Sequence, residues 1–169
     1  MSINVEKRDG MVESLNLDKV HKMVEEACQG LAGVSASQVE MSSGIQFYDG
    51  ITTDAIQEIL IRSASDLIDL DHPNYQFVAA RLLLFGLRKE AFHKNIWKEG
   101  MPSVFDVAAY NATINKVYDE EILDKYSDED WIKVNSWIDH DRDYLFTYAG
   151  LRQVVDKYLV QDRSAGDVY

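Results

Sequence analysis

The chain has 169 residues and a formal net charge of −12, with 17 Lys and Arg against 29 Asp and Glu. This length allows one domain or two small ones with a substantial hydrophobic core. The strong negative charge argues against a general nucleic-acid-binding protein, which would present a basic face.

The cysteine content and the hydropathy of the sequence exclude further classes of protein. Cys28 is the only cysteine, which excludes an intrachain disulfide framework and any CxxC zinc or redox site. We predict that Cys28 is a small buried residue on a helix. No apolar run approaches the ~18 residues needed to span a membrane, and the first residues lack a signal-peptide pattern. We therefore expect a soluble cytoplasmic protein with no membrane or direct nucleic-acid partner.

The first thirty residues predict a β-hairpin followed by a helix. Apolar and polar residues alternate from Ile3, Asp9-Gly10 is a strong turn signal, and a second strand follows over 11–15. Asn16 is a favourable N-cap for a helix over about 17–31, where apolar residues recur at helical spacing.

Three further helices are predicted before residue 94. The second starts at Ser35 or Ser37 and ends near residue 48, and Thr53 or Asp54 caps the third. The fourth starts at Pro73 and ends near residue 93. A hairpin and four helices within residues 1–92 predict a compact α+β unit.

The remaining chain is predicted to be mainly helical and incomplete. Residues 94–101 are predicted to be a connector. Helices are expected at about 103–117, 118–126, 128–138 and 147–157. After them, a strand over 158–161 is predicted to lead into a turn at 164–167. From this pattern we expect that the segment after residue 94 has no closed hydrophobic core of its own and that its strand has no partner inside the chain. We therefore expect the segment to be the beginning of a larger structure.

A local group of cations is the clearest candidate site. Lys7 and Arg8 precede the hairpin turn and Lys19 lies at the first helix N-terminus, where backbone N–H groups favour anions. This grouping indicates a phosphate-bearing ligand, although solvated surface cations would give the same sequence. Thr53 could face a phosphate or act only as a helix cap. Arg88-Lys89 could add cations or merely complement the dipole at a helix C-terminus.

Other polar residues leave alternatives open. Glu13 and Asn16 could select a ribose or base, and Asn16 is equally suited to capping. The run Asp139-His140-Asp141-Arg142-Asp143 contains one imidazole, and five consecutive residues rarely supply a complete ligand set. We predict a helix-start or salt-bridge role there and no metal site. No Ser-His-Asp, GxSxG, Walker-type or GxGxxG pattern occurs, so no catalytic residue is evident.

The order of motifs carries a specific resemblance. Residues 1–92 contain, in order, Lys7-Arg8-Asp9-Gly10, Glu13, Asn16-Leu17-Asp18-Lys19, Gly50-Ile51-Thr52-Thr53, Tyr75-Gln76-Phe77-Val78-Ala79-Ala80-Arg81 and Leu87-Arg88-Lys89. This series resembles the ATP-cone of class I ribonucleotide reductase large subunits. The later motifs resemble the start of that subunit's helical N-terminal region: Asp139-His140-Asp141-Arg142-Asp143, Phe146-Thr147-Tyr148 and Lys157-Tyr158-Leu159-Val160-Gln161-Asp162-Arg163. The resemblance implies a cone over 1–92 and the start of the helical region over 93–169.

The resemblance implies control of overall activity in ribonucleoside-diphosphate reductase, which makes deoxyribonucleotides for DNA synthesis. ATP in the cone favours the active enzyme, dATP favours an inhibited assembly, and Mg²⁺ accompanies the nucleotide. The implied partners are the remainder of the large subunit and the small radical-generating subunit. The family's catalytic cysteines lie far downstream, so the chain alone, a piece of that subunit, is expected to be inactive.

By the same resemblance, a nucleotide site can be assigned residue by residue. Lys7, Arg8 and Lys89 would hold phosphates with Lys19 close by, Glu13 and Asn16 would address the sugar or base, and Thr53 and Ile56 would line the pocket. The complete predicted set is Lys7, Arg8, Glu13, Asn16, Lys19, Val20, Thr53, Ile56, Gln57 and Lys89.

Two positions depart from the family pattern. Gln57 stands where many members have a His, and Glu26 where a Trp is common. Glutamine can hydrogen-bond a phosphate but cannot become cationic, which predicts a weaker contact. One alternative is therefore a degenerate cone that serves as a non-catalytic assembly or interaction module. Another alternative is a free-standing nucleotide-sensing module. Its cone-repressor version, which carries a Cys-rich zinc finger before the cone, is excluded because Cys28 is the sole cysteine.

Overall fold

The computed structural model describes residues 3–92, 96–97, 100–162 and 167–168. The fold is α+β, as predicted: a small N-terminal sheet is followed by a mainly helical chain. In order, the elements are β1 (Asn4–Glu6), β2 (Val12–Ser14), α1 (Leu17–Cys28), α2 (Ala36–Gly44), β3 (Ile51–Thr52), α3 (Thr53–Asp66), α4 (Tyr75–Phe92), α5 (Val104–Thr113), α6 (Glu121–Lys125), α7 (Asp128–Trp137), a 3-10 helix (His140–Leu145), α8 (Tyr148–Lys157), β4 (Gln161–Asp162) and β5 (Asp167–Val168).

The N-terminal sheet contains the predicted hairpin and one strand that the sequence did not reveal. β1 pairs antiparallel with β2, and Gly10 occupies the turn with φ +78°, a left-handed conformation that favours glycine. The two-residue strand β3 pairs parallel with β1, so that the sheet order is β2-β1-β3. This parallel pairing brings the end of β1 beside the start of α3.

Helix boundaries follow the capping residues. Asn16 caps α1 through its side chain, as predicted. The cap of α3 is Thr52, which accepts from the backbone N–H of Ala55 at 3.1 Å, so the prediction of Thr53 or Asp54 was wrong by one or two residues. α1 and α2 end a few residues earlier than predicted, at Cys28 and Gly44.

The main core lies between α1, α3, α4 and the sheet. α3 and α4 make the most extensive contact, because both present wide apolar faces. The largest fully buried side chains belong to these elements and α2: Tyr75, Ile51, Leu60, Ile61, Leu82, Val24, Val39 and Val78. No helix within the described ranges is long and apolar enough to cross a membrane.

The second segment packs against the first. α8 lies along α4, and Leu151 of α8 belongs to the same buried cluster as the α3–α4 core. The sequence had suggested no closed core for this segment because its partners lie on a helix some 60 residues upstream. The 3-10 helix was not predicted as an element, and the predicted helix over 103–117 ends at Thr113.

The strand predicted over 158–161 was placed too early, since β4 spans Gln161–Asp162, and contrary to expectation this strand has a partner within the chain. β4 pairs antiparallel with β5, in register Gln161↔Val168 and Asp162↔Asp167. The predicted turn residues 164–166, the predicted helix end at residue 93 and residues 94–95 and 98–99 of the connector lie outside the described residues.

Cys28 ends α1 and is partly buried. Burial raises the pKa of its thiol to about 11, with the Arg81 charge opposing the effect. Because only the thiolate reacts, we expect iodoacetamide at pH 8 to modify Cys28 about 100-fold more slowly in the folded chain than in urea. Equal rates in the two states would contradict this assignment, and the folded rate should rise steeply as the pH approaches 11.

Candidate functional site

Two polar segments meet at one edge of the sheet. β1 continues into Lys7 and Arg8, and β3 continues directly into α3. The Arg8 guanidinium contacts the Asp54 carboxylate, with both Nε and Nη2 2.8 Å from Oδ1. Arg8 is thereby held over the first turn of α3, where backbone N–H groups and the helix dipole favour negative charge.

Glu13 links the hairpin to α1. Its carboxylate lies 2.7 Å from Lys7 Nζ and 3.7 Å from Lys19 Nζ. The hydrogen bond from Lys7 lowers the pKa of Glu13, and the same bond raises the pKa of Lys7. Asn16 accepts from the backbone N–H of Lys19 at 3.1 Å, which fixes Lys19 at the first turn of α1. Three predicted cations are thus close to one another, and two of them are bridged by a carboxylate.

Lys89 completes the cationic group from the last turns of α4. It is half-buried, and burial lowers the pKa of its ammonium group. The positive charges of Arg8, Lys7 and Lys19 lower this pKa further, whereas Asp54 raises it. Within the described part of the chain, Lys89 has no hydrogen bond or ion pair. The described residues therefore bring a fourth cation close to three others, and the opposing Asp54 carboxylate is already paired with Arg8.

Gln57 lies on α3 against the middle of α4. Its Nε2 donates to the carbonyl oxygen of Leu82 at 2.6 Å. A Cβ added at Gly86 would come within 3.3 Å of Gln57 Cγ, so the glycine leaves room for this side chain. One of the two amide N–H groups is engaged by the backbone, and the other could reach a ligand.

The remaining predicted residues lie on the elements that surround the cations. Val20 on α1 and Ile56 on α3 are both buried in the main core. Thr53 is the first residue of α3 and not its cap, and its hydroxyl group makes no hydrogen bond to a described residue. Thr52 satisfies the helix end, so the Thr53 hydroxyl is available to a ligand.

The acidic run 139–143 has the structural role that we predicted. Asp139 caps the 3-10 helix by accepting from Asp141 N at 3.1 Å, and Asp143 lies 2.7 Å from Arg88 Nη2 and 3.3 Å from His140 Nδ1. The described residues contain no group of three or more His, Cys, Asp or Glu side chains arranged to hold a metal ion. Arg88 is 4 % exposed and binds this run, so complementing the helix dipole is not its main role.

Sequence reasoning missed three residues that shape the site. Asp54 neutralises Arg8, Thr52 caps α3, and Gly86 accommodates Gln57. The motif Gly50-Ile51-Thr52-Thr53 contained a signal, since two β-branched residues before a helix are compatible with a short strand. Asp54 had no distinguishing signal, because an Asp in the first turn of a helix is common.

The fold and the site together define a class of ligand-binding domain. An α+β domain that gathers four cations around a hairpin and a helix N-terminus is suited to a ligand with several phosphate groups. Residues 3–90 match the ATP cone domain family, and the chain belongs to that family.

Similarity to known proteins extends beyond the cone. The chain is 46% identical over 165 residues to ribonucleoside-diphosphate reductase 1 subunit alpha of Escherichia coli, covering 98% of this chain and 21% of that protein. It is 39% identical to the corresponding alpha subunit of Enterobacteria phage T4, covering 99% and 21%, and 37% identical to that of Helicobacter pylori, covering 95% and 19%. The chain thus spans about a fifth of the length of these relatives.

Proposed function

We propose that the chain is the region of a ribonucleoside-diphosphate reductase alpha subunit that binds ATP or dATP and thereby sets the overall activity of the enzyme. Residues 1–92 form the ATP-cone, and residues 93–169 form the start of the subunit's helical N-terminal region. The observation that carries the proposal is Lys89, an ammonium group that lies among three other cations and forms no ion pair with a described residue. The identity to reductase alpha subunits over nearly the whole chain supports the assignment.

The phosphate chain would compete with the protein's own carboxylates. In the free protein, Glu13 pairs with Lys7 and Asp54 pairs with Arg8. On binding, nucleotide phosphates take these cations and Lys89, which releases Glu13 to accept from a sugar hydroxyl or a base N–H. Asn16 and Lys19 approach from α1 and Thr53 and Gln57 from α3, whereas Val20 and Ile56 form the apolar layer of the core behind them. Charge-assisted hydrogen bonds of this kind are the stronger ones.

Mg²⁺ would accompany the nucleotide. The donor chemistry fits this ion, because the Asp54 carboxylate lies beside Arg8, a cation that would hold phosphate. The described residues alone hold no complete metal site, so phosphate oxygens would have to supply ligands. When bound, the ion neutralises phosphate charge.

The remainder of the alpha subunit and the small radical-generating subunit are the proposed partners. Residues 93–169 would connect the cone to the body of the subunit, where the catalytic cysteines of the family lie. Cys28 is the only cysteine here, and its pKa is raised, so this chain would regulate the reaction without performing it.

Calorimetric titration with ATP and, separately, with dATP tests the proposal. We expect a dissociation constant on the order of micromolar for at least one nucleotide. Lys7→Ala should weaken binding by about 10- to 100-fold, the effect of losing a charged hydrogen bond. The matched control is Lys22→Ala, an exposed lysine on α1, which should bind as the unaltered chain does.

The outcomes separate the proposal from its alternative. Tighter binding of dATP than of ATP would support an inhibitory function despite Gln57. A folded chain that binds neither nucleotide would favour a degenerate cone that serves as an assembly module. Equal affinities of the Lys7→Ala variant and the Lys22→Ala control would refute the site assignment.

A further inference from the structure

The last turns of α4 contact two different parts of the molecule. Lys89 belongs to the cationic cluster, whereas the adjacent residue Arg88 points into the contact with the 3-10 helix. Arg88 Nη2 donates to Asp143 Oδ2 at 2.7 Å, and Nη1 donates to the carbonyl oxygen of Trp97. Consecutive helix residues project about 100° apart, so one short helical stretch presents both groups.

Tyr144 and Arg81 together join the end of α1 to the same contact. Its hydroxyl group donates to the Trp97 carbonyl oxygen at 2.6 Å, and its ring lies 4.8 Å from the guanidinium carbon of Arg81. Arg81 donates to the carbonyl oxygens of Ala27 and Gln29 at 3.0 and 2.7 Å, at the end of α1. We call Arg81, Arg88, Asp143 and Tyr144 the junction cluster. Both helices that supply cations to the nucleotide site, α1 and α4, therefore end in it.

The junction cluster is a buried polar contact whose hydrogen-bonding capacity is only partly satisfied. Arg88 is 4 % exposed, and its Nε has no hydrogen-bond partner among the described residues. A buried guanidinium with an unsatisfied N–H recovers only part of its desolvation cost, which lowers the net stabilisation that this contact contributes. The Asp143 side chain is 33% exposed, so water can reach it when the contact opens.

We propose that the junction cluster couples nucleotide binding to the docking of the 3-10 helix and α8 on α4. The inference rests on the proposed function. Lys89 and Arg88 are adjacent in α4, and Arg88 is bound to Asp143 and to the Trp97 carbonyl oxygen. A phosphate group held by Lys89 restricts the same turn of α4 that carries Arg88, and it thereby favours the contact of Arg88 with Asp143. Coupling of this kind is reciprocal, so docking also favours the nucleotide. Asp143 and Tyr144 are thus positioning residues for the segment beyond the cone.

Hydrogen exchange of the full 169-residue chain, with and without saturating ATP, tests this coupling. We expect ATP to slow amide exchange over residues 140–151 by about fivefold or more, the lower end of typical couplings. In Asp143→Asn, calorimetry should still detect ATP binding, but the slowing over 140–151 should be lost. Tyr144→Phe, which removes only the hydrogen bond to Trp97, is the second variant and should reduce the slowing.

A matched control removes a different contact between the same parts of the chain. Arg152 on α8 contacts Glu58 on α3, with Nη2 3.4 Å from Oε2. Glu58→Gln should retain the full slowing by ATP, because this pair does not involve α4. A general loss of packing would reduce the slowing in Glu58→Gln as much as in the junction-cluster variants. Coupling through the junction cluster would reduce it only in Asp143→Asn and Tyr144→Phe.

The results that overturn the inference differ from those that overturn the proposed function. ATP binding without slower exchange over 140–151 would refute the coupling and leave the nucleotide site intact. Full slowing in a folded Asp143→Asn variant would also refute it. Absence of ATP binding to the folded, unaltered chain would overturn the proposed function and, with it, this inference.

Discussion

Lys89→Met is expected to weaken ATP binding by about 10- to 100-fold while raising the stability of the free protein. Methionine preserves the length and apolar contacts of the side chain but removes its charge. The affinity falls because the phosphates lose a half-buried cation. The stability rises because burial and the charges of Arg8, Lys7 and Lys19 make the ammonium group unfavourable in the absence of a ligand.

The pH dependence of stability gives an independent check of the same idea. The pKa of Lys89 is lower in the folded than in the unfolded protein, so the unfolded state binds more protons between the two values. The free energy of unfolding contributed by Lys89 should therefore rise with pH from the lowered folded pKa up to 10.5 and stay at its lowest value below that window. This rise should be absent in Lys89→Met.

Urea unfolding and calorimetry on the same samples measure both effects. We expect the free energy of unfolding of Lys89→Met to exceed that of the unaltered chain by about 0.5 kcal/mol, a small value because the group is only half-buried. Lys22→Met is the control, since Lys22 is exposed on α1, and it should change neither quantity. A destabilised Lys89→Met variant that binds ATP normally would show that Lys89 is a structural residue.

Local signals explain why the hairpin and α1 could be predicted. A turn at Asp9-Gly10 and a cap at Asn16 depend on residues next to one another in sequence, and both appear in the structure. β3 could not be predicted in this way, because two residues carry no periodicity. It exists through pairing with β1, some 45 residues away, and that pairing places Asp54 beside Arg8.

The charges could be predicted as a group but not by their individual roles. Lys7, Arg8, Lys19 and Lys89 were recognised together from motif order, and the structure brings them into one electrostatic field. Arg88 and Lys89 looked alike in the sequence. Only tertiary packing reveals that Arg88 is buried against Asp143, 55 residues away, because the helical register of α4 decides which of two neighbours faces which partner.

Arg88→Ala is expected to lower the free energy of unfolding by about 2–4 kcal/mol. The substitution removes a guanidinium that is 4 % exposed and leaves a cavity beside α4. It also leaves Asp143 without its arginine partner and takes one donor from the Trp97 carbonyl oxygen. Each loss falls within the few mechanisms that produce large effects of single substitutions.

Comparison with a neighbouring arginine shows whether this cost arises from the junction. Arg142 lies next to Asp143 but is exposed, so Arg142→Ala should change the free energy of unfolding by no more than about 0.5 kcal/mol. Urea unfolding followed by circular dichroism measures both variants, and exchange in Arg88→Ala should accelerate first over residues 140–151. Equal costs for the two arginines would mean that Arg88 does not hold the segment beyond the cone. Nucleotide binding at Lys89 would then have no route through α4 to that segment.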